Sequence, residues 1–146
     1  MTTIKHILVA TDLTDRSERA LERALQVNDG GALTLLHVVT PGLPAGLGSR
    51  QQGDAEAFLA NRVAEASRKV RSHDVEAVVL TGDPLGTIIG QAVTRGADLI
   101  VIGEPGTHRY ADMFVGTTAE RVIRFSDRPV LMVKQVSLGP YSRILV

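Results

Sequence analysis

Four residues between positions 103 and 117 have the types and the spacing to hold a phosphate. Gly103, Gly106, Gly116 and Thr117 run as Gly-x2-Gly-x9-Gly-Thr. Gly103 directly follows the apolar run Leu99-Ile100-Val101-Ile102. A glycine at the end of a strand lets backbone come close to a ligand, because no Cβ stands between them. Thr117-Thr118-Ala119-Glu120 has the form of a capping box, an oxygen side chain first and a glutamate three later. The helix it opens would aim free N–H groups and the positive end of its dipole at whatever the glycines admit. Together these features describe a cradle for a phosphorylated ligand. A plainer reading stands beside it: Gly103 and Gly106 turn the chain, and Thr117 caps its helix. Spacing alone does not separate the two.

Such a loop needs a strand before it and a helix and strand after it. Asp98 to Ile102 reads as a strand covered on both faces. Val122, Ile123 and Phe125 supply the apolar face of the helix, Pro129 ends it, and Val130 to Val133 is the last strand. Earlier in the chain, Ile4 to Ala10 is the first strand, closed by Thr11-Asp12. Asp15 and Glu18 mark a helix start, with Ala20, Leu21, Ala24 and Leu25 as its buried stripe. Asn28-Asp29-Gly30-Gly31 stops that helix, and Ala32 to Val39 follows as a strand. Thr40 to Gly53 has no apolar period and reads as a connector, or as a lid over a ligand. Asp54 to Val70 is a helix and Val75 to Leu80 a strand. Gly82-Asp83-Pro84 opens the next helix, with Asp83 as cap and proline in the first position, and Gly96 ends it. Strands alternating with helices of this length give right-handed βαβ units and an α/β fold, a five-stranded parallel sheet wound on both faces.

Composition narrows the function classes. With 146 residues the chain makes one domain with a sizeable core. Aromatic residues are 3% and tryptophan is absent, so the core must be aliphatic and base stacking on aromatic platforms is not expected. Sixteen acids balance sixteen bases, which leaves no electrostatic footprint for nucleic acid. There is no cysteine, hence no disulfide framework and no thiol chemistry. No apolar run approaches membrane-spanning length and the N-terminus has no signal-peptide core, from which a cytoplasmic protein is expected.

The glycine signature resembles the nucleotide-binding signature of universal stress proteins. The flanking segments I-V-I-G and R-P-V-L-M-V-K, the opening I-L-V-A-T-D-L-T-D-R-S-E-R-A-L and L-L-H-V-V at Leu35 to Val39 are similar to that family too, at collinear spacing over nearly the whole chain. Neither a Walker loop nor a dinucleotide fingerprint occurs. The resemblance implies a sheet order of 3-2-1-4-5. In that order the switch point falls between the first and fourth strands, and ligands bind beyond the carboxyl ends there. Those ends are Ala10 to Asp12 and Ile102 to Gly106, so topology and glycine motif select one crevice.

The resemblance also implies an adenine nucleotide, ATP with or without Mg²⁺, in that crevice. Asp12 would contact the adenine; by residue type alone its carboxylate could take a base amino group, a ribose hydroxyl or the cap of the following helix. Val38 would offer backbone groups to the adenine edge. Ala10, Thr11 and Ile102 would line the base and ribose pocket. Gly103, Gly106, Gly116, Thr117 and Thr118 would hold ribose and phosphates. Glu104, Pro105 and Ala119 depart from what many relatives carry at these places. Pro105 has no N–H to donate. A Glu104 carboxylate ~4 Å from a phosphate charge would be repelled by about 4 kcal/mol at an effective dielectric of ~20. His108 and Arg109 are the residues that could offset it.

No catalytic or metal constellation accompanies the site. His6, His37, His73 and His108 lie at no ligand spacing, and there is no G-x-S-x-G elbow. A sensor or regulator is therefore expected, acting on an unknown protein partner, with ATP hydrolysis slow at most. The alternative is a homodimeric interaction module of the same fold that binds no nucleotide. Relatives commonly dimerise through the last strand, so a homodimer through Val130 to Val133 is expected. Residues 1–136 form the domain. The tail 137–146 ends in Ile144-Leu145-Val146, an echo of Ile7-Leu8-Val9, and is either a short apolar tail or the start of a second domain.

Overall fold

The computed structural model describes residues 3–42, 47–69, 74–104 and 118–134. Five strands and four helices alternate: β1 His6–Thr11, α1 Asp15–Val27, β2 Ala32–Val39, α2 Leu47–Lys69, β3 Val75–Thr81, α3 Pro84–Thr94, β4 Leu99–Gly103, α4 Thr118–Phe125 and β5 Val130–Val133. All strand pairs are parallel and the sheet order is β3-β2-β1-β4-β5. The α/β class and the expected strand order both hold.

Strand side chains alternate between two layers. Ile7, Val9, Leu33, Leu35 and Val101 face α1 and α2, where Ala20, Leu21, Ala24 and Leu59 meet them. Leu8, Ala10, Leu36, Ile100 and Ile102 face α3 and α4, where Ile88, Ala92, Ala119 and Val122 meet them. Burying each of the Val, Leu and Ile side chains among these contributes roughly 1.5–3 kcal/mol, which is how a core almost without aromatics holds.

Three local readings change. The α2 helix begins at Leu47, not at Asp54, so the second half of the expected connector is helical. Arg50, Gln51 and Gln52 are good helix formers, and a side chain at Gly53 would meet nothing within 4 Å, so no contact stops the helix there. Residues 43–46, the rest of any lid, lie outside the described residues. On α4, Ile123 and Phe125 are exposed, at 45% and 60%, and only Ala119 and Val122 are buried. The start of α1 takes no side-chain cap: Thr14 is the N-cap residue, and its hydroxyl turns back to Asp12. The α3 start is as expected, with the Asp83 carboxylate accepting from the Gly86 N–H at 2.8 Å and Pro84 next. The tail 137–146 lies outside the described residues.

The two ends of the sheet differ in chemistry. At the amino end, the Asp98 carboxylate accepts from the Lys5 and His6 N–H groups at 2.8 and 3.0 Å and ties β1 to β4. At the carboxyl end, the β1–β2 ladder stops at Thr11 opposite His37, and Val38 runs past it, paired with Leu80 on its other side. A hollow opens at that point.

Candidate functional site

A cavity of about 320 Å³ lies beyond the carboxyl ends of β1 and β4, at the switch point of the sheet. That volume is at the lower end of the range for small-molecule sites. Ala10, Thr11, Asp12, Val38, Ile102, Gly103 and Thr118 all line it. Gly106, Gly116 and Thr117, and with them Pro105, His108 and Arg109, lie outside the described residues. The walls divide by chemistry. Ala10, Leu36, Val38, Ile88 and Ile102 make the aliphatic part of the lining. Thr11, Asp12, Thr40, Glu104 and Thr118 are among its polar lining residues.

Asp12 is held in a tight turn. The Ser17 hydroxyl donates to Asp12 Oδ1 at 2.5 Å, and the Thr14 N–H donates to the same oxygen at 3.1 Å, joined by the Thr14 hydroxyl. The Asp12 N–H in turn donates to Ser17 Oγ at 2.8 Å. Burial alone would push this carboxyl up. The hydrogen bonds from Ser17 and Thr14, with the Arg16 charge nearby, outweigh burial and hold it below the usual carboxylate range. Asp12 is therefore ionised at neutral pH. All three bonds fall on Oδ1, and Oδ2 accepts none among the described residues. The following residue, Leu13, has φ of 68°, the left-handed region that a branched side chain enters at a cost of about 1–2 kcal/mol. Its side chain packs against the core, and its N–H donates to Thr11 Oγ1 at 3.0 Å, which together fix the turn.

Two side chains escaped the sequence reading. Ser17 was visible only as a serine in the first turn of α1, yet it grips Asp12 from two directions. His37 reads as an ordinary strand residue. Its ring is buried, and Nδ1 lies 2.9 Å from the Thr11 carbonyl. The acceptor is a carbonyl, so Nδ1 carries the proton and donates. His37 thereby pins the last residue of β1 just before Asp12. Its place beside Val38, at the end of β2, was the available signal.

Gly103 lines the cavity, but its lack of a Cβ answers first to the protein itself. A Cβ there would lie 2.7 Å from the Arg16 carbonyl oxygen and 2.9 Å from its carbon. The glycine lets the first turn of α1 sit directly on the tip of β4. Glu104 follows. Its N–H donates to the Val133 carbonyl at 3.1 Å, and its carboxylate stands 3.6 Å from the Arg19 guanidinium on α1. Among the described residues, no group of three or more His, Cys, Asp and Glu side chains could hold a metal ion. No helix among them is long and apolar enough to cross a membrane.

Comparison with known proteins agrees with this architecture. The sequence model of the Universal stress protein family matches residues 3–134. A universal stress protein of Thermus aquaticus, encoded in the QAH/OAS sulfhydrylase 3′ region, is 31% identical over 140 residues, covering 89% of this chain and 98% of that relative. The structure of UspA from Lactobacillus plantarum superposes with a TM-score of 0.78 at 23% identity, over 91% of this chain and 99% of that one. A universal stress protein crystallised in complex with cAMP superposes with a TM-score of 0.72 at 25% identity, over 90% of this chain and 98% of that one. Sequence match, sheet order and overall superposition agree over nearly the full length: the chain belongs to the universal stress protein family.

Proposed function

We propose that this protein binds an adenine nucleotide in the cavity at the β1–β4 switch point and acts as a sensor or regulator rather than as an efficient enzyme. The observation that carries the reading is the convergence of an ionised Asp12, with one oxygen that accepts no bond from the described residues, an aliphatic lining and the start of α4 on one hollow. Asp12 Oδ2 would accept from a base amino group or a ribose hydroxyl. The aliphatic lining at Ala10, Val38 and Ile102 would take the ring. Thr118 and the first N–H groups of α4 would face ribose or phosphate, where the helix dipole favours an anion. The cAMP complex of a relative supports a nucleotide in this fold. ATP, alone or with Mg²⁺, is the ligand to test first. We further propose a cytoplasmic protein that pairs as a homodimer through the β5 edge, with a protein partner that reads the liganded state.

The second reading is an interaction module of the same fold that binds no nucleotide. Glu104, an acidic residue in the cavity lining, is the feature that favours it. Isothermal calorimetry with ATP, with and without Mg²⁺, separates the two. A saturable heat that is lost in Asp12→Ala is expected. No heat with ATP, AMP or adenosine at millimolar concentration would refute nucleotide binding.

A further inference from the structure

Ser17 and Asp12 close a small ring of two hydrogen bonds. The Ser17 hydroxyl donates to Asp12 Oδ1 at 2.5 Å, and Ser17 Oγ accepts from the Asp12 N–H at 2.8 Å. One serine therefore holds both the backbone and the side chain of the same acid. Ser17 is itself buried, in the first turn of α1. That turn rests on the tip of β4, where the Ser17 nitrogen would stand 3.3 Å from a Cβ at Gly103. The hydroxyl has a single proton, and Oδ1 takes it. Oδ1 also accepts from the Thr14 N–H and the Thr14 hydroxyl, so the protein itself fills that oxygen. Oδ2 accepts nothing among the described residues. Turning the carboxylate out of this arrangement would break all three bonds to Oδ1.

From this geometry we infer that Ser17 is a positioning residue for nucleotide binding: its hydroxyl locks the Asp12 carboxylate in one orientation and leaves Oδ2 for the ligand. The inference rests on the adenine-nucleotide reading, although the lock itself needs no ligand. Without the Ser17 hydroxyl the carboxylate keeps only its exposed contacts to Thr14, and the Asp12 N–H loses its acceptor. Burial then weighs more heavily against the charged form, so the Asp12 carboxyl moves up. The other charged or titratable groups about Asp12, among the described residues, are Asp15 and Arg16 on α1, His37 on β2 and Glu104 beyond β4. A change at Ser17 leaves all of them in place, so a difference between the two proteins belongs to the serine.

The test compares the natural protein with Ser17→Ala and Ser17→Thr, using adenosine as the probe because it carries no phosphate. Alanine is a good helix former, so Ser17→Ala should keep α1, which far-UV circular dichroism checks. Calorimetry at neutral pH should show adenosine binding about two- to tenfold more weakly to Ser17→Ala, the range of one net hydrogen bond. Ser17→Thr keeps the hydroxyl and should recover most of that affinity. The Asp12 carboxyl carbon, followed by NMR in the ligand-free protein, should titrate at higher pH in Ser17→Ala than in the natural protein. With the ionised acid as acceptor, adenosine affinity should also begin to fall at a higher pH in Ser17→Ala. Equal affinity in Ser17→Ala, or a loss that is the same at every pH with the Asp12 titration unmoved, would overturn the positioning role. Failure of adenosine, AMP and ATP alike to bind the natural protein would overturn the nucleotide reading and the part of Ser17 in it. The Asp12 titration, which needs no ligand, would then still report whether the serine holds the acid.

Discussion

Replacing Gly103 with alanine separates two roles that a glycine at a strand end can play. If the missing Cβ serves only the ligand, alanine weakens binding and leaves the ligand-free protein as stable as before. The packing says otherwise. The new methyl would lie 2.7 Å from the Arg16 carbonyl oxygen, 2.9 Å from the Arg16 carbon and 3.3 Å from the Ser17 nitrogen. Carbon and oxygen prefer about 3.5 Å, and all three neighbours are backbone, so no rotamer change relieves the clash. Either α1 lifts from the sheet or the tip of β4 bends. Lifting α1 disturbs Ala20, Leu21 and Ala24, which pack with Val9 and Val101 in one core layer. Overpacking of this kind costs about 1–3 kcal/mol. For a chain of this size each kcal/mol moves the midpoint by about 2–4 °C, so Tm should fall by about 2–12 °C. Thermal unfolding of the ligand-free protein, followed by far-UV circular dichroism, measures it. Gly90→Ala is the control. That glycine lies inside α3 with nothing within 4 Å of a Cβ, and alanine there should stabilise by about 0.5–1 kcal/mol. A Gly103→Ala protein melting level with the natural one would refute the packing argument and return the glycine to the ligand.

The His37 ring should matter through its donor. His37→Phe removes the hydrogen bond from the ring to the Thr11 carbonyl and should cost about 0.5–1.5 kcal/mol in urea unfolding, and His37→Asn, which keeps a donor near Nδ1, should recover part of that; equal losses would count against the hydrogen bond. Acid should act through two carboxyls. Asp98, held down by the Lys5 and His6 N–H groups, and Asp12, where the hydrogen bonds overcome burial, both sit below the usual range. A carboxyl lowered on folding adds stability that is complete above about pH 4 and is lost as pH falls through the folded value. Asp12→Asn and Asp98→Asn should each flatten the decline below about pH 4, and an unaltered acid limb would contradict this. Glu18 works in the opposite sense: burial raises it against the Arg62 charge, so Glu18→Gln should remove a small gain in stability on acidification. Light scattering at micromolar concentration should report a dimer, and a monomer would exclude pairing through Val130–Val133.

Much of this protein was legible in its sequence because strands, helices and their ends are local events. A continuous aliphatic run such as Leu99 to Ile102 suits a strand between two covering layers, and Asp83-Pro84 favours a helix start. The switch point followed from the strand order that the family resemblance implied, and the cavity stands there, walled by Asp12, Val38 and Ile102. What the tertiary structure decided was who stands opposite whom. Phe125 has the spacing of a buried residue, yet α4 is only eight residues long and seats itself through Ala119 and Val122 alone. Gly103 looked like a concession to a ligand until the backbone of Arg16 was seen resting on it. Glu104 looked like a bare negative charge until α1 brought Arg19 beside it. A turn or a pleat is set by residues a few positions apart, which any window of sequence contains. A contact between helix and strand tip depends on how two distant segments dock, and only the packed core fixes that.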